Sequence, residues 1–208
     1  MGKLSYEEER LHLTRICRLL FERRLVSGAD GNISLRLDEN TMLITPSGIC
    51  KGFLEPEQLL VQKFDGTVTE GNLRSTKEAF LHIACYRARP QTGAVVHTHP
   101  PYATAFAAVG EEIPSDAIIE LPVLVGNTPI VPYARPGSAE LAEAVRENAV
   151  SDALLLQNHG VITLGATLTE AFIRMDALEN AAQTIAVARG LGTIRRLPDG
   201  ETEAIRKK

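Results

Sequence analysis

The sequence predicts one α/β or α+β domain built on a mostly antiparallel sheet. Three observations lead there. Helix-like and strand-like hydrophobic periods alternate along the chain. Several strand-like runs are joined by short turns, which make hairpins rather than parallel crossovers. No G-x-G-x-x-G or Walker loop follows a strand, so nucleotide-binding folds lose support.

Residues 5–26 read as an amphipathic helix, with Leu11, Ile16, Leu19, Leu20 and Val26 near the 3.6-residue period. SGADGNIS is rich in turn formers. ISLRL reads as a strand, DEN as a tight turn and TMLIT as the returning strand. PSGICKG is a loop, residues 56–60 start a short helix, and LLVQKF is a strand ended at Asp65-Gly66. Residues 76–89 read as a helix capped by Thr76 and stopped by Pro90. AVVHTH (94–99) is a short apolar strand stopped by Pro100-Pro101, and YATAFAAVG a helix. Residues 117–125 and 129–132 read as strands split by Gly126-Asn127, and 138–150 as a helix. ALLLQ and VITLG are strands flanking Asn158-His159-Gly160. Residues 167–189 form a long helix with Ala and Met on its apolar face. Residues 193–208 are a polar tail with a short terminal helix.

The chain has 208 residues, 44% of them hydrophobic and 23% charged, enough for one sizeable core. A net charge of −4 gives no basic surface for nucleic acid. No apolar run reaches the roughly 18 residues of a membrane span, and MGKLSYEEERLHL lacks a signal-peptide core. We therefore expect a cytoplasmic protein with neither nucleic-acid nor membrane partners. Cys17, Cys50 and Cys85 are odd in number and far apart, which argues for reduced thiols.

The chemistry concentrates around five histidines. In a strand, His97 and His99 point to the same face. Two imidazoles so placed can ligate one metal ion, although H-x-H by itself also suits a surface or core pair. His159 sits at the tip of an apolar strand, where Gly160 permits a sharp turn. It is either a turn histidine satisfied by backbone or a third nitrogen ligand. Three protein ligands with an open position is the arrangement of a catalytic zinc. Glu78 and His82, four apart, share a helix face. Glu78 can be a fourth ligand, a general base or an exposed first-turn glutamate, and His82 a ligand or a packed histidine. The loops holding Gly31, Asn32, Ser47 and Gly48 offer free amides for an anion, to which Thr76 and Lys77 can add a hydroxyl and a charge. Ordinary turns are the other reading.

GNISLRL, LITPSG, TKEAFLH, AVVHTHPPYATAFA, VPYARPGSAELAEAV and LLLQNHGVITLG stand in this order. Together they resemble the class II aldolase/adducin family, from about residue 7 to about residue 192. The resemblance implies one α/β/α layered domain over 1–208 with a central, mainly antiparallel sheet, assembled as a homotetramer with active sites at subunit interfaces. It implies that His97, His99 and His159 hold Zn2+, with Co2+ or Mn2+ as alternatives, and that Glu78 both binds metal and acts as acid/base. It further implies that Gly31, Asn32, Ser47, Gly48, Thr76 and Lys77 bind a phosphate. The implied reaction cleaves a ketose 1-phosphate of the L-fuculose 1-phosphate type to dihydroxyacetone phosphate and an aldehyde. Lewis-acid stabilisation of the enediolate left by C3–C4 cleavage drives it.

Three features depart from the fuculose-phosphate pattern. Thr76-Lys77 replaces two serines, and TKEAFLH…YRARP resembles the branch that decarboxylates 3-oxo-tetronate 4-phosphates. Ile118 falls where a tyrosine proton donor is expected; Glu120 is the candidate replacement, with Tyr102 and Tyr133 behind it. The tail also lacks the family's second tyrosine. The alternatives are a decarboxylase, epimerase or dehydratase of a sugar or sugar-acid phosphate on the same site, or a non-catalytic adducin-like interaction module.

Overall fold

The computed structural model describes residues 4–206. In chain order its elements are α1 (Glu7–Glu22), β1 (Asn32–Arg36), β2 (Thr41–Ile44), β3 (Leu60–Lys63), β4 (Val68–Glu70), α2 (Ala79–Ala88), β5 (Ala94–Thr98), α3 (Pro101–Val109), α4 (Glu120–Leu124), β6 (Ile130–Val131), α5 (Ala139–Asn148), β7 (Ala153–Leu156), β8 (Gly160–Gly165), α6 (Leu168–Leu191) and α7 (Glu201–Arg206). Short 3-10 turns occupy Lys51–Phe53 and Pro56–Gln58. No described helix is long and apolar enough to cross a membrane.

The strands form one eight-stranded sheet in the order β4-β3-β2-β1-β5-β8-β7-β6. Each neighbouring pair is antiparallel except β6 with β7. The expected mainly antiparallel sheet is therefore present, with one parallel edge. Helices cover both faces. Ile33, Leu43, Val96 and Val161 pack with α1, α3, α4 and α6. Ile44, Val95, Leu154 and Ile162 pack with α2 and α5. The alternation of side chains along each strand sorts the apolar residues into these two cores.

Local chemistry explains the helix positions. In α1 the buried Leu13, Ile16, Cys17 and Leu20 make one stripe, and Glu7, Glu8 and Glu9 favour its N-terminus. Ser138 and Thr167 cap α5 and α6 by accepting the Leu141 and Glu170 amides.

Three expectations are corrected, and one edge strand is added. Residues 117–125 form no strand; the segment turns into the short helix α4. Pro122 has no N–H for a ladder but suits a first helical turn, while Leu121 and Val125, one turn apart, are buried beside α6. The helix expected at 76–89 begins only at Ala79, so Thr76 is not its cap; its hydroxyl instead accepts the Glu78 amide. The first helix is shorter than 5–26 at both ends. The three-residue edge strand β4 gave too short a pattern to be read.

Candidate metal centre

The sheet register assembles the site. Asn32, first residue of β1, pairs with His97 of β5, and His97 pairs with Ile162 of β8. Paired residues share a face, so Asn32 and His97 lie side by side at one sheet end. His99 follows just past the strand end. The hairpin between β7 and β8 brings in His159, whose amide donates to the Leu156 carbonyl. Its bend is made by Asn158 at φ 56°, not by Gly160 as expected. Gly160 serves close approach instead: a Cβ there would fall 2.7 Å from the Thr98 carbonyl oxygen and against the His99 ring.

His97, His99 and His159 bring one ring nitrogen each to within 4.8 Å of one another. His97 is fully buried, and its Nδ1–H donates to the Val161 carbonyl at 2.8 Å. A carbonyl only accepts, so Nδ1 carries the hydrogen of the neutral ring, and it is Nε2 that faces the cluster. It lies 3.3 Å from Nε2 of His99. That spacing matches the roughly 3.3–3.4 Å between two nitrogens bound tetrahedrally to one zinc. Behind His99, Asp30 sits 3.7 Å from Nδ1. A carboxylate in that place orients a ligating imidazole; the sequence reading missed it because Asp30 looks like any loop aspartate.

Glu78 completes the group. Its Oε2 lies 3.4 Å from His97 Nε2, and its Oε1 3.1 Å from His159 Nε2. Buried Oε1 of Glu78 and buried Nδ1 of His159 have no hydrogen-bond partner among the described residues. Asn32 Nδ2 donates to Oε2 at 2.8 Å. Burial alone would raise the Glu78 pKa, but the His159 and His97 imidazoles and the Asn32 amide outweigh it and hold the carboxyl well below its usual range. Burial first, then His97 and His159, pushes the His99 pKa down to about 4, keeping that ring neutral and able to ligate. Two neutral-capable imidazoles 3.3 Å apart, a third close by and an ionised carboxylate with an orphaned oxygen suit a divalent cation.

His82, offered above as ligand or packed histidine, is fully buried and lies outside the cluster, with Nε2 on Asn32. The three segments offered above for an anion are tied to one another by backbone and side-chain bonds. Thr45, next to Pro46, hydrogen-bonds Ile33 beside Asn32. Pro46 bridges to Ser75, and the Ser47 amide donates to Arg74, tying this loop to the one carrying Thr76 and Lys77. Ser47, Gly48 and Lys77 are exposed. Gly31, at φ 68°, presses on the β5 backbone, where a Cβ would meet the His97 carbonyl oxygen at 2.8 Å. Glu120 is not brought to the histidines of its own chain; it lies exposed at the start of α4, in a depression shared with Ile118, Ile173 and Asp176. Tyr133 stands beside the His159 hairpin, its amide bonded to Gln157, and Tyr102 packs against the larger core.

A layered α/β scaffold carrying three histidines and a glutamate at one sheet end defines an enzyme of the class II aldolase type. The Class II Aldolase and Adducin N-terminal domain matches residues 11–186, and the chain belongs to that family. It is 40% identical over 169 residues to an L-fuculose phosphate aldolase of Methanococcus maripaludis strain S2, covering 81% of this chain and 91% of that one. It is 38% identical over 203 residues to a 3-oxo-tetronate 4-phosphate decarboxylase of Escherichia coli O6:H1, covering 95% and 94%. Its fold superposes on an L-fuculose 1-phosphate aldolase with TM-score 0.91 at 28% identity, covering 98% and 97% of the two chains. It superposes on YgbL of Escherichia coli, described as an aldolase/epimerase/decarboxylase, with TM-score 0.89 at 35% identity, covering 96% and 98%.

Proposed function

We propose that this chain is a metal-dependent carbon–carbon lyase of a phosphorylated sugar, cleaving a ketose 1-phosphate of the L-fuculose 1-phosphate type to dihydroxyacetone phosphate and an aldehyde. The observation that carries the reading is the Glu78 carboxylate held among three imidazoles. His97, His99 and His159, with Glu78 as fourth donor, would hold a divalent ion, Zn2+ first and Co2+ or Mn2+ as alternatives. When bound, the ion would supply Lewis-acid polarisation of the substrate carbonyl.

The residues of the chain do the rest. Glu78, kept ionised by its neighbours, carries a proton to and from the donor carbon. Gly31, Asn32 and Gly48 offer amides to the phosphate, Ser47, whose own amide is bonded to Arg74, offers its hydroxyl, and Thr76 and Lys77 add a hydroxyl and a charge. Asn32 has one amide hydrogen left for this, the other being on Glu78. Glu120 is the proposed proton donor on the aldehyde side, protonating the aldehyde oxygen in condensation and taking that proton from the C4 hydroxyl when the bond is cleaved. Because it lies apart from its own chain's histidines, that role requires a neighbouring subunit, in keeping with a homotetramer whose sites lie at interfaces. Light scattering on the eluting protein tests the assembly.

A second reading, decarboxylation of a 3-oxo-tetronate 4-phosphate, is favoured by Lys77 and by the Escherichia coli relative aligned over 95% of the chain. The same donors would serve it, and it needs no acceptor-side acid. One assay separates the readings. Purified protein is given L-fuculose 1-phosphate, related ketose 1-phosphates and a 3-oxo-tetronate 4-phosphate, with and without chelator, and dihydroxyacetone phosphate and carbon dioxide are measured. Chelator-sensitive dihydroxyacetone phosphate supports the aldolase, and chelator-sensitive carbon dioxide the decarboxylase. Epimerised or dehydrated sugar moves the assignment within the family, and no turnover with no bound metal leaves the interaction module.

A further inference from the structure

Behind Glu78 a hydrogen-bonded chain of four side chains runs into the protein. Asn32 Oδ1 meets His82 Nε2 at 2.6 Å, His82 Nδ1 meets Ser34 Oγ at 2.6 Å, and Ser34 Oγ meets the Tyr86 hydroxyl at 2.7 Å. Asn32 is 4% exposed, Ser34 and His82 are fully buried, and Tyr86 is 1% exposed. The arrangement is a zipper between one strand and one helix. Asn32 and Ser34 are two apart on β1; Glu78, His82 and Tyr86 are four apart along α2 and its leading residue. Two strand residues advance about 6.8 Å and four helical residues about 6 Å, so the two rows stay in step. Burying so many polar groups is costlier than an apolar seam unless every member is satisfied. Here Asn32, His82 and Ser34 each have a partner on either side, the Tyr86 hydroxyl ends the chain on Ser34, and the Arg36 guanidinium lies over the Tyr86 ring at 4.7 Å and donates to the Tyr86 backbone carbonyl.

The direction of the chain follows from one end. A carboxylate only accepts, so Asn32 must turn its amide nitrogen to Glu78. Its carbonyl then faces His82, which must donate from Nε2. Nδ1 of His82 is therefore an acceptor, Ser34 donates to it, and the Ser34 oxygen accepts from Tyr86. We infer that His82, Ser34 and Tyr86 are positioning residues: they lock the Asn32 amide so that its N–H group holds Glu78 in its working orientation. Without His82 the amide can rotate and set its carbonyl against the carboxylate. The catalytic consequence rests on the function proposed above; the polarity of the chain does not.

Two measurements test this. In metal-free protein labelled with 15N-histidine, long-range proton–nitrogen spectra should show His82 neutral with its proton on Nε2; a proton on Nδ1, or on both nitrogens, overturns the inference. In the metal-loaded enzyme, His82→Leu should lower kcat about 10–100-fold, the size typical of lost outer partners, with KM changed less than about threefold. His82→Gln, which restores an N–H for Asn32, should recover much of the loss. Should His82→Leu fail to fold, Ser34→Ala carries the same test, with a kcat loss while His82, still facing the Asn32 carbonyl, keeps its proton on Nε2. Unchanged kcat in the folded variants, or no recovery by His82→Gln, refutes the positioning role. A wild-type protein that neither takes up metal nor turns over refutes the proposed function instead, and with it the catalytic use of the chain, whatever tautomer His82 shows.

Discussion

Gly160→Ala is a one-carbon perturbation whose effect can be worked from the geometry. The added Cβ would stand 2.7 Å from the Thr98 carbonyl oxygen and inside the contact distance of the His99 ring carbon Cδ2. Carbon atoms rest about 3.5–4.0 Å apart, so something must retreat by about 1 Å. Thr98 is held in the β5–β8 ladder opposite Val161, so the ring of His99 is what yields. Metal–ligand distances tolerate only about 0.2 Å, so a displaced imidazole ceases to be a good ligand. We expect a loss of about 1–3 kcal/mol from overpacking, read as a melting temperature lower by several degrees. We also expect metal affinity lower by about 10–100-fold or more, read by competition with a chromogenic chelator. Gly66→Ala is the control. Gly66 has φ +95° and open space around its Cβ direction, so it loses about 1 kcal/mol through backbone strain and leaves metal affinity alone. Wild-type affinity in Gly160→Ala would refute the packing of His99 on this hairpin, and equal affinity losses in both variants would show a general effect of destabilisation.

Three further outcomes are expected. His97→Ala should abolish metal retention and turnover together, measured by metal analysis and assay; full activity without bound metal would sink the mechanism. Glu78→Gln should keep KM within a few-fold while kcat falls about 10²–10⁴-fold, the usual worth of a positioned acid/base, and an unchanged rate would remove Glu78 from that role. The metal-free protein should lose stability on acidification. Burial pushes the His82 pKa down to about 3, and burial with His97 and His159 pushes His99 down to about 4, both from 6.5. The unfolded chain therefore binds more protons below about pH 6.5, and stability drains as pH falls from there toward 4. Glu78, depressed below 4.5, contributes above that value and adds to the loss only at lower pH. Urea midpoints at pH 7.0, 5.5 and 4.5 check this; a flat series contradicts it.

Much of the site was legible because it depends on short-range periods. Strand alternation alone put His97 and His99 on one face, and the apolar run before Asn158-His159-Gly160 put His159 at a strand end. The order of the motifs then carried the family, now shown by the match over residues 11–186. Composition and hairpin-like spacing also carried the mainly antiparallel sheet. What failed locally was the 117–125 segment, whose apolar residues suit strand or helix equally. Pro122, which cannot donate to a ladder, disfavoured a strand, and packing on α6 chose the helix.

The rest was decided by contacts between residues far apart in the chain, which no local pattern encodes. Sheet register set Asn32 beside His97, 65 positions away. The β7–β8 hairpin, packed through Gly160 against Thr98 and His99, set where the third imidazole stands. The carboxylate charge of Glu78, reached by Asn32 across 46 residues, set the direction of the buried chain to Tyr86. A sequence can offer each of these side chains to one face of one element. Which faces meet, and which donor then has only an acceptor in front of it, is fixed when the strands and helices pack, because only then are the polar groups closed off from water and obliged to satisfy one another.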